Sequence, residues 1–313
     1  MPITAPEIPM IADCSTSAVS AVTPDEVARS VKHVPSAPKV LPRLKQMLSD
    51  GNSAVHDIVA LIRLDLGISA RVLQVANSAY YSQGTRCFTV EEAVARVGYD
   101  QVYDLVAYAV ASQVLVRPLV AYAIEADELW KQSVACALSA EAIAQYTGQD
   151  RNVAYTNGLL HAVGLVAIDE WERRGAHRRI LANVGFPRET SEAERELLGF
   201  TNAEAGAALL RIWDFPREMV EPVRWQYAPN SSAGHARMAS LLQAAKWLRS
   251  TVCAGGGAPP APLEAHQLDP LSLSPRILTA MAFSIEMRMA EISSLLEVDD
   301  PRRLDRSSIP VVG

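Results

Sequence analysis

Apolar residues recur at helical spacing along most of the chain. Leu44, Met47 and Leu48 stand at i, i+3 and i+4, and Ile58, Leu61, Ile62 and then Val72, Val75, Ala76 repeat that spacing. Thr89 followed by Glu92 three residues later forms a capping box, and Gly98 closes the short helix it opens. A further apolar helix is predicted over 100–116, ended by Pro118. The pattern then predicts a long helix over 120–146 stopped at Thr147-Gly148, one continuous helix over 153–172, and helices over 177–184, 189–198, 202–213, 217–227, 235–250 and 275–296. Their punctuation is Gly175, Gly185-Phe186-Pro187, Gly199, Phe215-Pro216 and Pro229-Asn230. Strand-type alternation is nearly absent and no repeat of 20–50 residues stands out. The expected fold class is all-α.

The same pattern sets expected boundaries. Residues 1–37 read as a flexible arm, in which Thr23-Pro24-Asp25-Glu26 predicts one short helix. An N-terminal helical lobe is expected over 38–116. A helical bundle follows over 117–297, with a loop at 254–274 and a closing C-terminal helix, and 298–313 forms a tail. Gly255-Gly256-Gly257 lies in a Pro-rich stretch and reads as linker rather than phosphate loop.

Composition narrows the function. With 49% hydrophobic and 20% charged residues, the 313-residue chain can bury a substantial core, which excludes a wholly disordered protein. A net charge of -6 excludes a chain-wide basic footprint for nucleic acid. The local cluster Arg173, Arg174, His177, Arg178 and Arg179 is diluted by Glu170 and Glu172 and reads as a solvated helix junction. No stretch has the roughly 20 apolar residues of a membrane span, and no secretory leader is visible. Cys14, Cys87, Cys136 and Cys253 form no CxxC pair, so a reducing cytoplasm is the expected location. GxGxxG, GxxxxGK[ST], HExxH and GxSxG are all missing. The tryptophans at 130, 171, 213, 225 and 247 sit in helical patterns and read as core and inter-helix packing.

Gly158-Leu159-Leu160-His161-Ala162-Val163-Gly164 resembles the GLLHDIG-type segment of the HD phosphohydrolase superfamily. Upstream, Leu73-Gln74-Val75-Ala76-Asn77-Ser78-Ala79-Tyr80-Tyr81, followed by the stretch from Thr89 to Gly98, looks like the hallmark of the HDOD family. That family is the regulatory, mostly metal-free branch of HD-like domains. The order of Leu41-Pro42, Leu129-Trp130, Ala203-Glu204-Ala205-Gly206 and Trp213-Asp214-Phe215-Pro216 matches as well. The resemblance covers about residues 38–297. It implies an N-terminal lobe packed on an HD-like bundle, and a role as an output or adaptor module in bacterial signal transduction.

Metal chemistry in catalytic relatives needs converging histidines and aspartates. Here the aspartate of the His-Asp pair is Ala162, and the upstream histidine falls near Gln132. Further ligand positions fall at Asn202, Gln226-Tyr227 and Ala245. His161 alone remains, and one imidazole does not hold a dication. No catalytic residue, metal ligand or cofactor is therefore expected. The candidate vestigial pocket or lobe interface comprises Asn77, Ser78, Tyr80, Tyr81, His161, Asn202, Gln226 and Tyr227. Of these, His161 reads most simply as a buried histidine bonded to backbone. Asn77-Ser78 reads as a helix end or as the fixture of the lobe joint. Tyr80 and Tyr81 read as packing residues with the hydroxyl at the surface. Three functions follow in order: a regulator acting through a protein partner, a sensor binding a small nucleotide in the emptied pocket, and a metal-dependent phosphohydrolase. Any input is expected from a separate protein or ligand, since the arm is too short to be a fused receiver.

Overall fold

Helix starts follow the local polar side chains. Helix α1 (Pro24–Ser30) opens with a reciprocal box in which Thr23 Oγ1 accepts from the Glu26 amide and the Glu26 carboxylate accepts from the Thr23 amide. In the computed structural model of the protein, residues 22–31, 47, 54–82, 84–98, 102, 118–174, 190–254 and 260–297 are described. Most of the arm, the predicted helices over 100–116 and 177–184, the triple glycine and the tail lie outside them. Val27 and Ala28 of α1 are fully buried against the bundle.

The N-terminal lobe contains α2 (Val55–Arg63), α3 (Leu66–Asn77), the single turn α4 (Ala79–Ser82) and α5 (Val90–Val97). Its apolar stripes are those of the sequence, with Ile58, Ile62, Val72 and Ala76 at or near zero exposure. Asp65 caps α3 by accepting from the Ile68 amide at 2.8 Å. Thr89 caps α5, but the Glu92 carboxylate reaches the Phe88 amide, one residue before the amide a closed capping box would use.

The bundle contains α6 (Ala126–Thr147), α7 (Arg151–Leu160), α8 (Val163–Arg174), α9 (Thr190–Leu198), α10 (Asn202–Ile212), α11 (Arg217–Arg224), α12 (Ala236–Val252), α13 (Ala265–Leu268) and α14 (Pro275–Glu297). Among the described residues the one strand-like feature is an isolated bridge between Leu119 and Ile124, and the fold is all-α. That bridge shortens the long helix predicted from 120. Leu119 and Ile124 exchange two backbone hydrogen bonds of 2.8 and 3.1 Å around Ala123 at φ 52°, so α6 starts at Ala126 instead. At its far end α6 stops at Gly148, φ 70°, where the sequence places the stop.

The helix predicted over 153–172 is two helices, broken at His161-Ala162. The reason is tertiary. α7 presses on α6 at Gly158, where a Cβ would lie 2.7 Å from Ala137 Cα. α8 presses on α10 at Gly164, where a Cβ would lie 1.8 Å from the Asn202 carbonyl oxygen. Both crossings bring backbone against backbone, and one straight helix does not serve both. α6 lies at the centre of the bundle, packed on α7, α12 and α14, while α10 packs on α8, α11 and α1. No helix among the described residues is long and apolar enough to cross a membrane.

The two lobes meet through polar groups at the ends of α2 and α3. Trp130 Nε1 donates to the Leu64 carbonyl at 3.0 Å, and Tyr155 Oη donates to the Arg63 carbonyl at 3.1 Å. The Arg63 guanidinium lies 4.1 Å above the Tyr155 ring. The carboxylate of Glu141, 8% exposed, gathers Arg63, Arg151 and Arg288 at 3.6, 3.7 and 2.8 Å. Gly164→Ala is expected to destabilise the fold by about 3 kcal/mol or more, since backbone rather than a mobile side chain stands in the way. Urea denaturation followed by circular dichroism measures it, and a loss below about 1 kcal/mol would refute the close approach.

Candidate functional site

His161 sits at the break between α7 and α8, 3% exposed. Its Nδ1 lies 2.6 Å from the Gly158 carbonyl, and its Nε2 lies 2.8 Å from Nη1 of Arg249 on α12. A guanidinium only donates, so Nε2 carries the lone pair and Nδ1 carries the proton given to Gly158. Burial, followed by the charges of Arg249 and Lys246, holds the imidazole pKa well below 6.5. His161 is therefore a neutral acceptor. The nitrogen that would face a metal faces a buried cation of the chain itself.

Around this pair the other positions close in. Gln226 Nε2 donates to the His161 carbonyl at 3.1 Å and to the Val223 carbonyl at 3.0 Å. Asn202 Nδ2 lies 3.0 Å from Tyr227 Oη. Lys246, one turn before Arg249, places Nζ 3.4 Å from the Tyr227 ring centroid, with no hydrogen-bond partner among the described residues. Burial, with Arg249 second, pushes its pKa well below 10.5. Gln132 turns away and bonds Glu128 at 2.6 Å. Ala162 supplies a methyl group.

Glu194 completes the wall. It has no exposed surface, and it accepts from Tyr122 Oη at 2.6 Å and from the Asn202 amide and Nδ2 at 2.6 and 2.8 Å. Burial raises its pKa from 4.5 to about 7, against the lowering effect of the three donors.

The candidate residues thus form two groups. His161, Asn202, Gln226 and Tyr227 come together beside α12. Asn77, Ser78, Tyr80 and Tyr81 lie at the end of α3. Asn77, fully buried, brackets Cys87 by donating from Nδ2 to its carbonyl at 3.0 Å and accepting from its amide at 2.8 Å. Its own carbonyl accepts from Arg86 at 3.2 Å, and Arg86 also reaches the Asp214 carbonyl at 2.8 Å and Oδ1 at 2.7 Å. Asp214 sits at φ 62°, between α10 and α11. Asn77 thereby anchors the loop that ties the lobe to the bundle. Ser78 Oγ turns back to the Val75 carbonyl at 2.7 Å. Tyr80 is 83% exposed, contrary to its reading as a packing residue, because the single turn α4 holds it outside the core with only the Tyr81 ring edge-on at 4.7 Å.

Arg249, Lys246, Glu194 and Tyr122 were not among the sequence candidates. A signal existed for the first two. Both lie on the stripe of α12 that carries Leu242, Ala245 and Leu248, where a basic residue does not face water. In the described half of the basic cluster, Arg173 and Arg174 pair with Glu170 at 2.9 and 2.6 Å.

The donor set does not fit a divalent ion. No group of three or more His, Cys, Asp or Glu side chains converges among the described residues, and a guanidinium meets the one imidazole nitrogen available. No hydrolytic step through a metal follows from this arrangement.

The raised pKa of Glu194 has a definite sign. A carboxyl that keeps its proton to about pH 7 folded, against 4.5 unfolded, stabilises the fold fully below 4.5 and loses that contribution as pH climbs to about 7. Glu194→Gln keeps the shape without titrating. Between pH 5 and 8 the stability gap should therefore move in favour of the variant by on the order of 2 kcal/mol. Chemical denaturation at the two pH values measures it, and a gap independent of pH would show that Glu194 does not titrate there.

Comparison with known proteins follows this geometry. An uncharacterized protein of Treponema pallidum (strain Nichols) is 28% identical over 205 residues, 64% of this chain, and the chain spans 39% of that relative's length. Among solved structures, a virulence factor from Campylobacter jejuni subsp. jejuni superposes with a TM-score of 0.64 at 16% identity, covering 85% of this chain and all of that one. The MmoQ response regulator from Methylococcus capsulatus str. Bath gives 0.63 at 19% identity, covering 81% and 99%. These likenesses are of fold. The model of the HDOD domain matches residues 34–229, which hold the α3 end, the His161 break and the Tyr227 wall, and the chain belongs to the HDOD family.

Proposed function

We propose that this chain is a non-enzymatic regulator in bacterial signal transduction, acting in the cytoplasm through protein–protein contacts of its HDOD domain. The observation that carries the reading is the Arg249–His161 pair. In a catalytic site the imidazole would share a dication with an aspartate and further ligands. Here the aspartate position is Ala162, and the chain supplies a tethered single positive charge in their place. That exchange is electrostatically consistent, since a single positive charge facing a neutral acceptor costs less to bury than a dication without its carboxylate ligands. A fold relative that is a response regulator agrees with a signalling role, as does membership of the family.

A sensor binding a nucleotide beside His161 draws less support. Arg249, Gln226 and Asn202 fill that space with side chains already bonded to the His161 ring, the His161 carbonyl and the Glu194 carboxylate.

Metal dependence tests the reading directly. The melting temperature should stay within about 1 °C on adding EDTA or millimolar Mn2+. p-Nitrophenyl phosphate and cyclic dinucleotides should not turn over, and a partner captured from the native cells should bind the purified chain equally well with EDTA present. Phosphatase turnover abolished by His161→Ala would overturn the proposal. Arg249→Met should cost about 2–4 kcal/mol, because it leaves Nε2 of His161 without its donor. Urea denaturation reads this out, and a neutral substitution would show that the pair does not hold the pocket.

A further inference from the structure

Tyr227 has two sides. Its hydroxyl points inward to Asn202, with Lys246 Nζ over the ring. The residue is nonetheless 40% exposed and lines an open cleft of about 230 Å³ between the 3-10 turn Pro229–Ser231, α12 and the α13 segment. This cleft is separate from the group around His161 and Arg249, neither of which lines it.

Its walls carry neutral hydrogen-bonding groups. Asn230, Ser240 and Gln243 line it, and none of their side chains bonds to another described residue. Ser240, 1% exposed, lines the cleft, and its hydroxyl does not turn back to the carbonyl four residues earlier as those of Ser250 and Thr251 on the same helix do. Pro229 and the Tyr227 ring add apolar surface. Among the described residues no Lys, Arg, Asp or Glu lines the cleft. His266 at the edge already pairs with the exposed Glu264 at 3.1 Å, so a carboxylate stands near the mouth.

We infer that this cleft binds a neutral heteroaromatic ligand of nucleoside size, with its ring against Tyr227 and its edge on the Asn230 and Gln243 amides. Primary amides match the paired donor and acceptor on a nucleobase edge, and an aromatic ring supplies the stacking surface. Absence of a lining cation argues against recognition of a phosphate, which wants Arg, Lys or a cluster of backbone amides. The volume lies below the ~300–1,000 Å³ of sites for drug-sized ligands, which excludes a dinucleotide from enclosure. The inference goes beyond the protein-contact reading and does not depend on it. Occupancy would press on the tyrosine that bonds Asn202 and so reach Glu194.

The test is isothermal titration calorimetry on the full chain with adenosine, guanosine, cytidine and uridine, and with glucose and the 5′-monophosphates as comparisons. At least one nucleoside should saturate with a Kd below about 1 mM, and its monophosphate should bind no tighter. Gln243→Leu, and separately Asn230→Leu on the exposed turn, should each weaken binding about tenfold with an unchanged circular dichroism spectrum. Four flat nucleoside titrations would overturn the inference, as would glucose binding as well as the nucleosides, tighter binding of the monophosphate, or full affinity in both variants. Flat titrations would leave the metal and partner results as they stand, so the two proposals fail separately.

Discussion

A guanidinium buried beside a neutral imidazole organises the centre of this molecule. Arg249 reaches His161 from α12, His161 stands at the joint of α7 and α8, and Gln226 fastens the His161 carbonyl to the end of α11. Three separate stretches of chain thus meet at one residue. A pair of this kind is demanding, because a charge taken from water recovers its hydration only from well-placed acceptors. Arg249 Nε has no partner among the described residues. The pocket is held in shape by fit around the ring as much as by bonding at the guanidinium.

The two glycines explain why the ring stands there. Gly158 and Gly164 flank His161 by three residues on either side, and each allows a different helix to touch backbone. α7 follows α6, α8 follows α10, and the imidazole falls in the bend between them. In that bend Nε2 of the imidazole meets the guanidinium of Arg249.

Much of the fold could be read from local chemistry. The starts of α1, α3 and α5, and the stop at Gly148, follow from caps that act within four residues. The break at His161 could not, because Leu159, Leu160, Val163, Val166 and Ala167 keep helical spacing straight through it and the cause lies on α6 and α10. Within the site, the burial of His161 and its bond to backbone were legible. The cation beside it was not. Arg249 and Lys246 read as surface residues unless their place on the stripe of α12 is weighed against their charge. Glu194 was hidden in a polar helix, since its burial is imposed by Tyr122 from 72 positions away.

Glu141 has a bearing on how the chain is assembled. Its three arginines stand at 63, 151 and 288, so translation delivers them far apart in time. When α6 and α7 first pair, the carboxylate has the α2 and α7 cations within reach but not its closest one, Arg288 at 2.8 Å. That side chain arrives only with α14. The nascent bundle therefore lacks the nearest of the three cations around this carboxylate until α14 docks.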